Sequence, residues 1–292
     1  MKRQVIDHLR AEYPVKQLCE VLDCPRSSYY RHPVETVPDG QAVQAVEAIL
    51  MHYPFCGYRR IHQKLLKTGY TLSQYRVRRL LKQLGGSRSV GKVRVQTTDS
   101  RHHLPRYPNR IKGITASYPN QIWVADITYI RLGTQFIYLA VILDAYTRCV
   151  RGWCVSRSLH RDIALTALQQ ALRQHPPPLI FHSDQGSQYA SWEHTEMLHN
   201  ACIYISMSAA GQPTENSLAE RFMRTLKEEH VDYADYDNFA DACHQIGDWL
   251  DKDYNQQREH SALGYLTPTE FEVDAYARGK RPLLKKREFG FR

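Results

Sequence analysis

The sequence WVADITYI occupies residues 123–130 and sets the class of fold. Its β-branched and aromatic residues predict a strand, and two similar runs follow at 135–143 and 149–155. Because the connections between these runs are short, we predict an antiparallel meander. Helical and strand patterns then alternate, so a mixed α/β sheet is expected. The predicted helices are 162–174, 192–200, 216–230 and 238–254, and the later strands are 179–182 and 202–207.

The chain before this sheet has helical patterns. Residues 3–31 predict a helix, a turn and a helix, and a second helical set follows at 41–85. In its last helix Ser73 is a candidate N-cap, and an apolar stripe follows. The other sides of this helix are basic, which suits docking in the major groove of DNA, although an ordinary surface helix has the same pattern. The candidate DNA contacts in this region are Arg59, Arg60, Arg76, Arg78, Arg79 and Lys82.

Positive charge is concentrated in two segments of the 292 residues. The chain has a formal net charge of +9, whereas residues 56–112 alone have 15 Lys and Arg against one acid, Asp99. Residues 278–292 have seven basic residues against Glu288. Such an excess repels itself unless a partner neutralises it, so we expect a polyanion such as nucleic acid to bind. Solvated basic faces are the plainer alternative.

The cysteines and the apolar residues indicate a cellular location. Seven scattered cysteines, an odd number, predict free thiols in a reducing cytoplasm rather than a disulfide framework. The basic start has no apolar signal region, and no apolar stretch is long enough to cross a membrane. We therefore expect no secretion and no membrane partner.

Three acids in the α/β region are candidate metal ligands. Asp126 stands within an apolar strand pattern, where an unpaired carboxylate is unfavourable. Asp184 follows the predicted strand 179–182, and Glu220 lies in a helical stretch. Acids at the ends of adjacent strands and on a neighbouring helix can hold two divalent ions that activate a water or a 3′-hydroxyl against phosphate. Each acid alone also has a structural interpretation, as a buried acid, a turn cap and an exposed helix acid.

Short motifs recur along nearly the whole chain. They are YPV at 13–15, SSYY at 27–30, GYRRI at 57–61, RVRRL at 76–80, PNQIW at 119–123, DITY at 126–129, HSDQGSQY at 182–189, ERF at 220–222, TLK at 225–227, YN at 254–255, HSALGY at 260–265 and TP at 267–268. With these motifs the chain resembles the transposases of bacterial insertion sequences in the retroviral-integrase superfamily. The resemblance is strongest to the second-reading-frame product of insertion-sequence family three.

The resemblance implies an α/β, RNase H-like integrase catalytic core preceded by small all-α helix-turn-helix DNA-binding domains. Asp126, Asp184 and Glu220 match the family's DDE triad, for which Mg²⁺ is the expected cofactor, with two ions bound and Mn²⁺ as a substitute. Further expected substrate contacts are His182, Gln188, Arg224 and Lys227. The expected layout is a helix-turn-helix at 1–32, a second helical DNA-binding domain at 41–85, a basic linker at 86–118, the core at 119–275 and a basic tail at 276–292.

The expected function is DNA transposition. The enzyme binds the element ends, hydrolyses DNA to free a 3′-hydroxyl and joins that hydroxyl to a target phosphodiester. The expected partners are the terminal inverted repeats and target DNA, a second or further copy of the chain because two ends must meet, and a first-frame protein of the element. A nucleoid-associated location in the bacterial cytoplasm follows. A DNA-binding regulator with a degenerate core and a nuclease that only cuts are the two alternatives.

The chain departs from the family pattern in two places. Glu215 precedes Asn216 where the family usually has Asp, and Glu259 stands where the family usually has Pro. The first departure makes Glu215 a rival for the third acid. Helical spacing favours Glu220, because it shares a face with Asn216 and Lys227 whereas Glu215 stands near the expected helix start. No sustained heptad is present, so the chain is either the catalytic half of a frameshift fusion or a protein that works alone.

Overall fold

The structure is a computed structural model that describes residues 2–30, 39–85, 103–209 and 212–280. The chain divides into two compact units, Met1–Arg88 and Ser89–Arg292. The first unit is helical and the second is an α/β unit, as the sequence predicts.

The helical unit contains two sets of three helices. The first set is α1 (Lys2–Leu9), α2 (Val15–Val21) and α3 (Arg26–Tyr30), and its small core contains Ile6, Leu18, Cys19 and Tyr29. The second set is α4 (Asp39–His52), α5 (Tyr58–Lys67) and α6 (Gln74–Gln83). Both sets are small, so each buries only a handful of apolar side chains.

Helix α6 begins where the sequence predicts. The Ser73 hydroxyl accepts a hydrogen bond of 3.3 Å from the backbone N–H of Arg76, which caps the first turn. Val77, Leu80 and Leu81 are buried on the inner side, in one cluster with Ile61 of α5. The opposite side of α6 is left for polar and charged residues.

The α/β unit is built on a five-stranded sheet in the order β3-β2-β1-β4-β5. The first three strands, β1 (Ile122–Leu132), β2 (Gln135–Asp144) and β3 (Val150–Ser156), form the predicted antiparallel meander. Strands β4 (Ile180–Ser183) and β5 (Tyr204–Met207) are parallel to β1. The sheet's helices are α7 (Asp162–Gln174), α8 (Trp192–Asn200), α9 (Ser217–Leu226), α10 (Phe239–Asp248) and α11 (Pro268–Ala277).

Alternation along β1 divides the core into two layers. Ile122 and Val124 lie in a cluster with residues of α9 and α10, whereas Trp123 and Ala125 lie in a cluster with residues of α7 and α8. Helix α7 approaches the sheet closely at Gly152, where a Cβ atom would collide with the carbonyl oxygen of Ala167. The sheet is thus covered by helices on both faces.

Helix α11 is attached to the sheet through a buried charge network. The Arg151 guanidinium contacts Asp144 at 3.1 Å, and it also pairs with Glu272 of α11. Asp144 accepts a further hydrogen bond of 2.6 Å from the backbone N–H of Asn120. Removing one partner from such a buried network leaves an uncompensated charge, so the network strongly favours this position of α11.

Two predicted helices are less regular than expected. The stretch predicted as 216–230 begins with a 3₁₀ turn (Pro213–Asn216), continues as α9 and ends in a π-helical turn (Lys227–Val231). Likewise α10 is followed by a π-helical segment, Trp249–Gln257. Hydrophobic spacing alone does not distinguish these forms from an α-helix.

The domain boundaries expected from the sequence remain predictions. Of the predicted linker, residues 86–102 lie outside the described part of the chain, while Arg110 donates its backbone N–H to Ser206 of β5 at 2.8 Å. Residues 276 and 277 of the predicted tail are the end of α11, and 281–292 lie outside the described residues.

All seven cysteines are free thiols. Within the described residues, none of the helices is long and apolar enough to span a bilayer.

Candidate active site

The pairing of β1 with β4 brings two of the candidate acids together. The parallel register places Val124 beside His182. Continued two residues along both strands, this register places Asp126 beside Asp184, on the face of the sheet that Val124 shares with α9. Both acids line one pocket, Asp126 partway along β1 and Asp184 directly after β4.

A tight turn after β4 fixes the Asp184 side chain. Its Oδ1 accepts a hydrogen bond of 3.0 Å from the backbone N–H of Gly186. A Cβ atom at residue 186 would lie 3.0 Å from the same oxygen and 3.1 Å from Oε1 of Gln188. Glycine therefore leaves room for the carboxylate and for the Gln188 amide to approach the same backbone.

Glu220 is carried by α9, whose start is held against β1. The side-chain amide of Asn216 donates to the carbonyl oxygen of Ala125 at 3.0 Å, and Phe222 and Leu226 bury the inner face of the helix. Glu220 itself is exposed, and partial burial raises its pKa while Arg224 lowers it. The structure thus places this acid on the helix that packs over Asp126.

Acidic groups are crowded around Asp126. Burial, together with the charges of Asp184 and Glu220, raises the pKa of Asp126 to about 8, against a backbone hydrogen bond from Ile127 and the charge of Lys227. Beside these two acids, ionisation of Asp126 is favoured by compensating positive charge. The oxygen ligands offered are those that Mg²⁺ prefers.

The three acids do not form a closed ligand set. Within the described residues, no group of three His, Cys, Asp or Glu side chains is close enough to hold one metal ion. The structure therefore brings Asp126 and Asp184 together and leaves the exposed Glu220 as a neighbour that reaches Asp126 through its charge.

Glu215 has a local structural contact instead. Its Oε2 accepts a hydrogen bond of 2.8 Å from the backbone N–H of Ala209. That bond, followed by the Asn109 side chain, lowers the pKa of Glu215. Glu220, in contrast, acts on Asp126 through its charge. These contacts favour Glu220 as the third acid.

One of the predicted DNA contacts is His182. The ring is fully buried, and its Nδ1 lies 2.8 Å from the hydroxyl oxygen of Ser206 on β5. Burial lowers the pKa of His182 to about 4, so the ring is neutral at physiological pH. A buried neutral ring favours packing between β4 and β5, and contact of His182 with DNA stays a prediction.

Three other predicted contacts surround the carboxylates. Gln188 lines the pocket and donates its side-chain amide to the carbonyl oxygen of Leu159 at 3.0 Å. The Lys227 ammonium lies 4.2 Å from the centre of the Tyr129 ring, and burial lowers its pKa. Arg224 is exposed on α9.

One residue of the pocket was not predicted from the sequence. Tyr189 lines the pocket together with the two aspartates, yet its side chain is only 3% exposed. Its place five residues after Asp184, at the end of the motif HSDQGSQY, is the signal that could have identified it. A buried tyrosine has no distinctive sequence pattern of its own.

The predicted DNA-binding residues of the helical unit separate into two groups. Arg59 of α5 and Arg78, Arg79 and Lys82 of α6 are exposed. The ring of Tyr58 lies 5.4 Å from the Arg59 guanidinium and 5.9 Å from that of Arg78. In contrast, Arg60 and Arg76 are half-buried, and Arg60 donates to the carbonyl oxygen of Phe55 at 3.4 Å. The exposed group forms the better candidate surface for phosphate.

Known protein families match both units. An integrase core domain matches residues 116–213, and a second integrase core domain family matches residues 201–268. An HTH-like domain matches residues 39–90. The α/β unit and the second helical set thus correspond to two known kinds of domain.

Curated relatives match over most of their length. The chain is 32% identical over 263 residues to the insertion element IS600 uncharacterized 31 kDa protein of Shigella sonnei. The matched region covers 87% of this chain and 97% of that protein. It is 30% identical over 286 residues to transposase InsF for insertion sequence IS3A of Escherichia coli K12, with 93% and 98% covered.

Solved structures are also similar. The HTLV-2 integrase catalytic core domain in complex with magnesium matches at 22% identity and a TM-score of 0.45, over 53% of this chain and 97% of that chain. A chain of the simian T-cell lymphotropic virus intasome in complex with the PP2A regulatory subunit B56 gamma matches at 17% identity and a TM-score of 0.47, over 82% of this chain and 76% of that one.

The helical DNA-binding unit and the integrase-type core together define a DNA strand-transfer enzyme, a polynucleotidyl transferase. The chain belongs to the DDE transposases of insertion sequences, of the IS3 type. It binds DNA and moves an insertion sequence, and its core family is metal-dependent.

Proposed function

We propose that Asp126, Asp184 and Glu220 are the catalytic carboxylates of this transposase and that they hold two Mg²⁺ ions, for which Mn²⁺ can substitute. The observation that carries the proposal is the crowding of carboxyl groups around Asp126, which lies beside Asp184 and near the helix of Glu220. Divalent ions bound here supply activation of the attacking oxygen and stabilisation of the leaving oxygen.

The side chains around the acids bind and orient the DNA in this proposal. Lys227 and Arg224 contribute positive charge on the α9 side, where a phosphate oxygen approaches the carboxylates. Gln188 orients the DNA strand through its side-chain amide at the pocket.

Two reactions then use the same site. Water attacks the phosphodiester at the element end and frees a 3′-hydroxyl, and that hydroxyl attacks a target phosphodiester, expelling a second 3′-hydroxyl.

The helical unit would bind the element ends. Tyr75, Arg78, Arg79 and Lys82 fall on one outward side of α6, because a helix turns about 100° per residue. All four are exposed, and Ser73 caps the helix so that its first turn is ordered. An N-terminal turn that enters the major groove, with cations alongside, matches the docking of a recognition helix. We therefore assign end recognition to this side of α6.

The assembly in this proposal contains at least two copies of the chain, since two element ends must be brought to one target. A first-frame protein of the same element is a further partner in the proposal. The two alternatives to a transposase differ in products, because a regulator only binds and a nuclease cuts without joining.

Incubation of the full chain with Mg²⁺, labelled element-end DNA and an unlabelled target plasmid tests the proposal. We expect end-specific cleavage followed by labelled joined products, and loss of both in Asp126→Asn. Cleavage without joined products at any protein concentration would favour the nuclease. Undiminished joining by Asp126→Asn would refute the assignment of the acids.

A further inference from the structure

The hydroxyl group of Tyr189 is buried without a hydrogen-bond partner in the described part of the chain. The residue is 3% exposed and lies in the core cluster on the α7 and α8 side of the sheet. It also lines the pocket that contains Asp126 and Asp184. A phenol group therefore reaches from the core to the acidic site.

Two neighbouring rings hold Tyr189 in this position. The centre of the His194 ring lies 5.6 Å from that of Tyr189, edge to face, and the centre of the Phe181 ring lies at 6.3 Å. His194 is fully buried, and burial lowers its pKa to about 4, so it is a neutral neighbour. The backbone N–H of Tyr189 donates to the carbonyl oxygen of Gly186 at 3.1 Å, within the turn that holds Asp184.

The hydroxyl lies within electrostatic reach of both acids. Burial raises the pKa of Tyr189, and the charges of Asp126 and then Asp184 raise it further. The group therefore stays a phenol and remains a hydrogen-bond donor throughout the physiological range. Its two charged neighbours are carboxylates, which in the ionised form are acceptors only.

An unpartnered buried hydroxyl is unfavourable by about 1–3 kcal/mol. Phenylalanine would fill the same space among Phe181 and His194 without that cost, so packing does not account for the oxygen. A donor beside two metal-binding carboxylates can form a hydrogen bond to a carboxylate that binds the ion. Such a hydrogen bond orients the ligand and tunes its affinity for the ion.

We propose that Tyr189 is a positioning residue of the transposase, whose hydroxyl donates a hydrogen bond to the carboxylate of Asp126 when that carboxylate is ionised to hold a divalent cation. That hydrogen bond would restrict rotation of the Asp126 carboxylate and so favour its binding of the ion. This inference rests on the proposed function, because it takes Asp126 and Asp184 as the ligands.

Tyr189→Phe removes only the oxygen, and Tyr236→Phe is a matched control. The Tyr236 hydroxyl is also buried and unpartnered within the described residues, but it lies near His230 rather than near the acids. The full-length proteins are heated without DNA over a series of Mg²⁺ concentrations, and the half-maximal Mg²⁺ concentration for the rise in Tm is measured. The same series is repeated for cleavage of end DNA.

We expect Tyr189→Phe to raise both half-maximal Mg²⁺ concentrations on the order of 10-fold to 100-fold, the usual effect of losing an outer-shell partner. Tm without metal should be equal to or above that of the wild type, because the unpartnered hydroxyl is gone. The affinity for end DNA should match the wild type, and excess Mg²⁺ should restore cleavage. Tyr236→Phe should leave both half-maximal concentrations unchanged.

Equal Mg²⁺ dependence of Tyr189→Phe and wild type would overturn the inference and leave the acids' role intact. A loss of cleavage that excess Mg²⁺ does not restore would also overturn it, because it would indicate a structural role. If Mg²⁺ changes the Tm of neither wild type nor Asp126→Asn, the proposed metal site itself fails, and the inference fails with it.

Discussion

The side-chain amide of Asn216 donates a hydrogen bond of 3.0 Å to the carbonyl oxygen of Ala125, the residue before Asp126. The contact spans 91 residues of sequence and is buried. It ties the start of the helix that carries Glu220 to the strand that carries Asp126. An uncharged residue thus connects the two elements that carry the first and third acids of the proposed triad.

We predict that Asn216→Ala lowers the free energy of unfolding by about 1–3 kcal/mol, because it leaves the Ala125 carbonyl group without its partner. Cleavage of end DNA should fall more than end binding, since α9 loses its connection to β1. Urea denaturation and a binding titration measure the two effects. As a control, Ser217→Ala alters the neighbouring exposed position and should change neither the free energy of unfolding nor cleavage relative to binding. Equal loss of binding and cleavage in Asn216→Ala would contradict the positioning role.

We predict that Glu220→Gln abolishes Mg²⁺-dependent cleavage while Glu215→Gln reduces it by a modest factor. The charge of Glu220 raises the pKa of Asp126, whereas Glu215 accepts the backbone N–H of Ala209. Cleavage rates of the two variants at saturating Mg²⁺ provide the comparison. The opposite ranking, with Glu215→Gln inactive and Glu220→Gln active, would show that the third acid is misassigned.

The exposed side of α6 should determine the salt dependence of end binding. Replacing Arg78, Arg79 and Lys82 by Gln should weaken end binding and reduce the slope of log K against log salt by up to about 0.9 for each phosphate that is no longer neutralised. Lys252→Gln is the control, because Lys252 is exposed and pairs with Asp248 at 2.9 Å. Fluorescence anisotropy at several salt concentrations measures the slopes, and an unchanged slope in the triple variant would place this side of α6 away from DNA.

The stability of the metal-free protein should fall as pH rises through the range set by Asp126. The pKa of this acid is raised from 3.8 to about 8 by burial and by its neighbouring acids. The native state therefore keeps its proton where the unfolded chain has lost it, so this contribution to stability is lost as pH rises from about 4 to about 8.

Asp126→Asn should remove that dependence and raise Tm in chelator at pH 8, by about 2–4 °C for each kcal/mol recovered. At pH 4 the variant and the wild type should nearly coincide. Calorimetry across this pH range checks both statements. A variant that is less stable than wild type at pH 8 would mean that the Asp126 carboxylate is stabilising, contrary to the crowding of acidic groups described above.

Local sequence patterns predicted much of the fold. The bounds predicted for α7, 162–174, are those of the structure, because its apolar spacing is regular. The Ser73 cap and the antiparallel meander are also confirmed. A capping residue and short connections between strands are likewise local features of the sequence. Integrase-type fold and transposase function followed from the motifs and are confirmed by the matching families and relatives.

Long-range contacts were not predictable in this way. Arg151 and Glu272 are separated by 121 residues, and no local pattern indicates that they pair. His182 belongs to the motif around Asp184, but the sequence could not show that its ring points into the sheet beside Ser206. For the same reason, the position of Tyr189 beneath the acids emerges only from the packing of Phe181 and His194.

The central claim is that Asp126 and Asp184 serve the chemistry through a divalent ion and are not needed to bind DNA. The most direct test measures end-DNA affinity and Mg²⁺-dependent cleavage side by side in Asp126→Asn, Asp184→Asn and the wild type. We predict that both variants bind end DNA within about twofold of wild type and yield no detectable cleaved or joined product in Mg²⁺. Variants that lose binding and chemistry in equal measure, or wild-type turnover that persists in excess chelator, would contradict the account.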